Sequence, residues 1–173
     1  TSTYTKRVDF STTNGTRPRG RMVQAANGLL YGVTFQGGAN SRGTLFSFNT
    51  TTNAFTKIRD FATATGGQPF GGLLRASNNV LYGTTTMGGT SPNNGGVIYS
   101  FNTTGNVYTV LHEFIAAEGT TPLAELAQAS SGLLYGSTSA NGAGFGGTLF
   151  SFNLTGNVYT NLHDMESSTG ANP

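Results

Sequence analysis

The chain has 173 residues, with 26 Gly, 12 Phe and 7 Tyr, no Cys, no Trp, and only 9% charged residues. Lack of cysteine excludes disulfides and thiolate metal sites, and no apolar run of eighteen residues offers a membrane-spanning helix. The formal charge of +2 hides a split: all nine Lys and Arg lie in the first 75 residues with two acids, a net of +7, and the remaining residues hold five acids and no base, a net of −5. A split of that kind bears on partners. Glycine with Thr, Asn and aromatics suits short strands joined by tight turns and argues against helices. Apolar residues recurring in register argue against disorder.

In chain order, Thr3-Tyr4-Thr5-Lys6-Arg7-Val8-Asp9-Phe10 is predicted to be a strand, here called d. It aligns with Phe55–Phe61, Val107–Phe114 and Val158–Met165, each an aromatic or apolar start, an acid and a large apolar residue. A Gly/Ser/Thr/Asn loop leads to a proline, Pro18, Pro69 or Pro122. Strand a follows as Met22–Ala25, Leu73–Ala76 and Leu126–Ala129, and its small residues point to a crowded innermost position. The turns Asn27-Gly28, Asn78-Asn79 and Ser131-Gly132 tolerate positive φ and predict hairpins. Strand b is Leu29–Thr34, Val80–Thr85 and Leu133–Thr138; a glycine-rich loop then leads to strand c, Thr44–Asn49, Gly96–Asn102 and Thr148–Asn153.

The prolines, ending with Pro173, recur at spacings of 51, 53 and 51 residues, and Leu-Tyr-Gly and Ser-Phe-Asn each occur three times. Four antiparallel strands in a repeat of about fifty residues is a kelch-like β-propeller pattern. The expected fold is all-β and β-propeller-like, in one repeat domain spanning 1–173. Residues 1–17 form an extra outer strand and loop, and 18–68, 69–121 and 122–173 are the three full repeats. The ordered landmarks Leu81-Tyr82-Gly83-Thr84-Thr85, Gly95-Gly96, Val97-Ile98-Tyr99-Ser100-Phe101, Leu111-His112-Glu113-Phe114 and Gly119-Thr120-Thr121-Pro122 resemble the GloVer tandem repeat. The resemblance covers nearly the whole chain. It implies a propeller-like bacterial protein, secreted or at the cell surface, with no catalytic residues attached to the repeat. Repeat proteins of this kind often carry a C-terminal anchor, and these 173 residues contain none. With no signal peptide and a start inside a repeat, the chain reads as a mature product or an excised piece.

Closed propellers typically have four to eight blades. Three repeats and a spare d strand fall short of a ring, and three accounts stay open: a piece of a longer propeller, two chains closing a six-bladed ring, or head-to-tail addition into a fibre or surface array. Unlike ends favour a heterologous contact. The expected function is a non-enzymatic extracellular structural protein that self-assembles through strand edges and oppositely charged ends. The basic end is Lys6, Arg7, Arg17, Arg19 and Arg21; the acidic end is Glu113, Glu118, Glu125, Asp164 and Glu166. The expected partners are further copies of the chain, with no nucleic acid and no membrane insertion; the alternative is a module binding a glycan or other ligand through the loops of one face.

His112 and His163 occupy matching places, but Val8 and Arg59 fill that place elsewhere, so a strand role outweighs a metal one. Asp9, Asp60, Glu113 and Asp164 also match, and hydrogen bonds to nearby turn amides explain them better than calcium or paired-carboxylate catalysis. The glycine loops lack the Lys-Ser/Thr of a phosphate loop. Tyr31, Tyr82 and Tyr135 read as core packing before sugar stacking. Asn14, Asn49, Asn102 and Asn153 head Asn-X-Thr sequons, where turn chemistry suffices and glycosylation is an additional use. No cofactor, metal or catalytic constellation is predicted.

Overall fold

The structure, a computed structural model, describes residues 3–166. Their strands form three four-stranded antiparallel sheets, each strand paired with its neighbour in sequence. Blade 1 is β1 (Thr16–Gln24), β2 (Leu30–Gln36), β3 (Thr44–Phe48) and β4 (Phe55–Asp60). Blade 2 is β5 (Leu74–Arg75), β6 (Leu81–Thr85), β7 (Val97–Asn102) and β8 (Val107–Glu113). Blade 3 is β9 (Ala127–Gln128), β10 (Leu134–Thr138), β11 (Thr148–Asn153) and β12 (Val158–Asp164). The all-β, propeller-like expectation holds, and the first three strands of each blade are the predicted a, b and c.

The register repeats as the sequence does. Leu30 faces Phe48, Leu81 faces Phe101 and Leu134 faces Phe152. Every c–d pairing also shifts register at the same place, between Leu45 and Phe46, Ile98 and Tyr99, or Leu149 and Phe150. The glycine of Leu-Tyr-Gly has a packing reason. A Cβ on Gly32 would lie 2.6 Å from the Phe46 ring, one on Gly83 2.5 Å from the Tyr99 hydroxyl, and one on Gly136 2.5 Å from the Phe150 ring. Each aromatic of strand c lies across the bare backbone of strand b.

Two apolar cores sit between the sheets. Tyr31, Val33 and Leu45 of blade 1 meet Leu81, Tyr99 and Phe101 of blade 2. On the other side of blade 2, Tyr82 and Ile98 meet Leu134, Phe150 and Phe152 of blade 3. The sheets therefore stack face to face. The innermost strands approach closely, since a Cβ on Gly20 would lie 2.4 Å from the Gly72 backbone. That agrees with the crowded position expected for strand a.

Two expectations need correction. Residues 3–10 form no strand, because a strand is stabilised by a neighbouring ladder and nothing among the described residues offers them a strand c. Within the extra outer strand and loop assigned to residues 1–17, residues 3–10 are thus an arm, and Thr16 and Arg17 already belong to β1; Thr1 and Ser2, and residues 167–173 of the predicted third repeat, lie outside the described residues. Strand a of blade 1 also begins at Thr16, ahead of the predicted Met22, and Pro18 sits within it opposite Thr34. An edge strand tolerates the missing proline N–H, and a register shift between Arg19 and Val23 absorbs the irregularity.

Candidate interaction faces

Each junction between blades is built from one aromatic device. Strands c and d carry a ring pair on the face turned towards the preceding blade: Tyr99 with Tyr108 at 5.0 Å in blade 2, and Phe150 with Tyr159 at 5.3 Å in blade 3. The residue just after strand d of the preceding blade inserts edge-on into that pair. Phe61 lies 5.6 Å from Tyr99 and 6.0 Å from Tyr108; Phe114 lies 5.3 Å from Phe150 and 6.0 Å from Tyr159. Two residues earlier, a flat polar side chain covers the outer ring. The Arg59 guanidinium sits 4.1 Å over Tyr108, and the His112 imidazole stacks on Tyr159 at 4.7 Å and 5°. The phenol protons are used too: Tyr108 donates to the Thr65 carbonyl and Tyr159 to the Glu118 carbonyl, both at 2.7 Å. Burial pushes the Tyr159 phenol up to about 12 and raises the Tyr99 and Tyr108 phenols as well. The Glu118 carboxylate lies 2.9 Å from His112 Nε2.

The outward face of blade 3 carries the same positions uncovered. Ile98 is 0% exposed in blade 2, whereas its counterpart Leu149 is 38% exposed, and Leu162, the counterpart of Leu111, is 48% exposed. Tyr82 is buried, while Tyr135 and Met165 are half-buried and His163 is exposed. At the opposite end, blade 1 turns its ring pair, Phe46 and Phe55 at 5.2 Å, away from blade 2. There the arm substitutes for a blade. Phe10 packs edge-on at 5.3 Å from Phe46 and 5.8 Å from Phe55, in the manner of Phe61 and Phe114. The cover is incomplete: an apolar cavity of about 300 Å3 remains between Arg7, Val8 and Phe10 of the arm and Leu30, Phe48 and Phe55 of the sheet.

The model of the Gloeobacter/Verrucomicrobia repeat matches residues 1–173. The chain belongs to that repeat family. No match was found among the curated proteins. Among solved structures, the extracellular domain of a hybrid two-component system from B. thetaiotaomicron is similar, with TM-score 0.62 and 11% identity over 94% of this chain and 18% of the other. A chain of the nidogen/laminin complex gives TM-score 0.58 and 13% identity, over 84% of this chain and 48% of the other. TolB from Acinetobacter baumannii gives 0.52 and 12%, over 86% and 32%. This chain thus spans less than half the length of each, and the likeness is one of fold.

In this Gloeobacter/Verrucomicrobia repeat chain one pair from the two predicted charged ends is closed internally. Arg21 and Glu125 meet each other within one chain, with Nη2 and Nε of Arg21 at 2.8 and 2.9 Å from Oε1 of Glu125. Lys6 pairs with Asp9 at 3.0 Å, and Arg19 lies over Phe70 at 4.5 Å. Arg7 lines the cavity under the arm, and Arg17 is exposed with φ of 54°. Glu113 accepts from the Thr90 and Ser91 amides at 2.8 and 3.0 Å, and Asp164 accepts from the Ala143 amide at 2.9 Å. Asp60 does the same with Ala39 at 2.9 Å and also holds Lys57. Burial alone would raise the Asp60 pKa, but the Ala39 amide and Lys57 outweigh it and hold the carboxyl below its usual value. The expected amide bonds are therefore present at three of the four matching acids. Glu166 is exposed.

At the sequons, Asn49, Asn102 and Asn153 use their side-chain oxygens to accept from Thr51, Thr104 and Thr155 amides at 2.9, 2.9 and 2.8 Å, and Asn14 accepts from Ser11 at 2.7 Å. This is the expected turn chemistry. On the loop face of blade 1, Thr12, Thr13, Ser41 and Lys57 line a polar cleft of about 640 Å3 without an aromatic ring. Thr16 and Gln36, also in the cleft, match Gly67 and Met87 of blade 2, which contact Arg42 of the preceding blade. The cleft thus includes ground that a preceding blade's loop would cover. Among the described residues, no three His, Cys, Asp or Glu side chains group closely enough to hold a metal ion. Sequence reading missed Phe61 and Phe114 as inter-blade contacts. The available signal was their recurrence in step with Phe46, Tyr99 and Phe150 and with Phe55, Tyr108 and Tyr159.

Proposed function

We propose that this chain is a non-enzymatic structural module, located outside the cell, that assembles head to tail through its blade faces into a fibre or surface array. The observation that carries the reading is the uncovered apolar outer face of blade 3, whose sequence positions are core positions in blades 1 and 2. Contiguous apolar surface of that kind marks a protein interface. Its natural complement is the leading face of blade 1, since that kind of face already covers the equivalent surface at both internal junctions. The contact is heterologous, so it propagates unless the rotation closes. Remaining basic groups near the N-terminus and acids near the C-terminus speed encounter more than they add affinity. The acids engaged with turn amides, together with the absence of a nucleophile–base pair in the motifs, support a non-enzymatic role. The secreted or surface location rests on the repeat's resemblance and on similarity to an extracellular domain.

Light scattering across a concentration series, with electron microscopy of the concentrated sample, tests the proposal. Mass that grows with concentration and filaments in the images are expected. A particle that stops at two chains would replace the fibre with a closed ring while keeping the face-to-face contact. Monomers alone at high concentration would overturn it. The alternative, glycan binding on the loop face, has the polar cleft of blade 1 in its favour and is tested with a glycan array.

A further inference from the structure

Resting on the head-to-tail reading above, we infer that the face of blade 1 beneath Val8 and Phe10 is the socket for strand β12 of a second copy, and that the arm is a removable plug in that socket. The two internal junctions define the code. Residues 59 and 61 of blade 1 enter the Tyr99/Tyr108 pair, and residues 112 and 114 of blade 2 enter the Phe150/Tyr159 pair. Continued by one step, the same code offers His163 and Met165 of one copy to the Phe46/Phe55 pair of the next. Val8 and Phe10 occupy that place now, and they occupy it loosely. Phe61 and Phe114 are 0% exposed, whereas Phe10 is half-buried and residues 3–7 are exposed. The Phe61, Phe114 and Met165 amides each donate to the carbonyl of the glycine just ahead of the third strand of their own blade, at 2.9, 3.0 and 2.9 Å. Among the described residues no such bond ties Phe10 to a sheet. A whole blade face docking on Phe46 and Phe55 brings that ladder with it, fills the cavity under the arm, and covers Leu149 and Leu162 in the same event. The arm therefore sets a threshold for assembly, because only the fraction of chains with an open socket is competent to dock.

The test is the full chain carrying Phe10→Ser, with Met165→Asp alone and combined with it, followed by sedimentation. Phe10→Ser should tighten self-association by about tenfold, as expected when the competent fraction rises. Met165→Asp should weaken association, and the double variant should lose the gain. Unchanged or weaker association of a folded Phe10→Ser chain would overturn the plug, even if the wild type assembles. Monomers in wild type and Phe10→Ser alike would remove both the plug and the head-to-tail reading, leaving a further repeat of the same polypeptide as the occupant. A thermal melt of each variant separates loss of docking from loss of folding.

Discussion

Blades 2 and 3 carry nearly the same residues at the same places, yet one is covered on both sides and the other on one. Tyr82 and Ile98 of blade 2 lie in the core with Leu134, Phe150 and Phe152, and the half-buried Leu111 packs against it. Tyr135, Leu149 and Leu162 of blade 3 have the same chemistry without that neighbour. Burial in a stacked repeat is thus a property of the adjacent repeat as much as of the residue itself. Nothing in the side chains of blade 3 marks it as a terminal cap; no acids or lysines replace its apolar positions, as a capping repeat would require for solubility.

Charge substitution gives the widest split between the two blades. Ile98→Asp places a carboxylate in a closed core and should abolish folding at room temperature, seen as loss of the β-sheet circular-dichroism signal. Leu149→Asp, at the matching position, should leave the melting temperature within a few degrees and remove self-association. If Leu149→Asp unfolds the chain, the outer face of blade 3 does not differ from the closed core of blade 2. Truncation separates junction from arm. Phe114→Ala should cost about 3–5 kcal/mol in urea unfolding, as expected for a fully buried ring, and Phe10→Ala less than half of that.

Alkaline pH probes the closed junctions through their phenols. The Tyr159 phenol is raised to about 12, chiefly by burial, with the Glu118 and Asp164 carboxylates adding to the rise and the Thr148 hydroxyl opposing it. An unfolded tyrosine loses its proton near pH 10. The folded state keeps that proton longer, so the contribution to stability is complete below pH 10 and is lost as pH climbs through 12. Melting temperature should be flat up to about pH 10 and then fall, and Tyr159→Phe should make the fall shallower. The smallest effect is expected at Arg21→Ala. Its pair with Glu125 is mostly exposed on the arginine side, so less than about 1 kcal/mol is lost, with little change in association.

The sequence carried the fold because its period is long and its landmarks keep order. Strands b, c and d of each repeat fall within a residue or two of their expected bounds, since alternating apolar residues between Gly and Asn turns leave little choice of register. Residues 3–10 show where that reading stops. Their pattern is that of strand d, but a strand exists only beside a partner, and the pattern does not say whether the partner is present. One pair of the charge split is used within the chain for a related reason. Arg21 and Glu125 are 104 residues apart in sequence, and the converging inner strands bring them together. Acids such as Glu113 and Asp164 were correctly read as turn bonds, because the end of strand d lies beside the loop between strands b and c, whose Thr90, Ser91 and Ala143 amides reach them. The aromatic junction was written in the sequence as a large apolar residue closing each strand d, but its direction, into the next blade, needed three dimensions.

Disulfide trapping tests the central claim most directly, because the chain has no cysteine of its own. Two preparations, one carrying His163→Cys and the other Phe55→Cys, are mixed and oxidised, with His112→Cys/Tyr159→Cys in one chain as the internal standard. The account predicts that the internal pair closes within the monomer and that the mixture gives a two-chain product linking position 163 to position 55. Closure of the internal pair, with no 163-to-55 product above the level in denaturant, would contradict it.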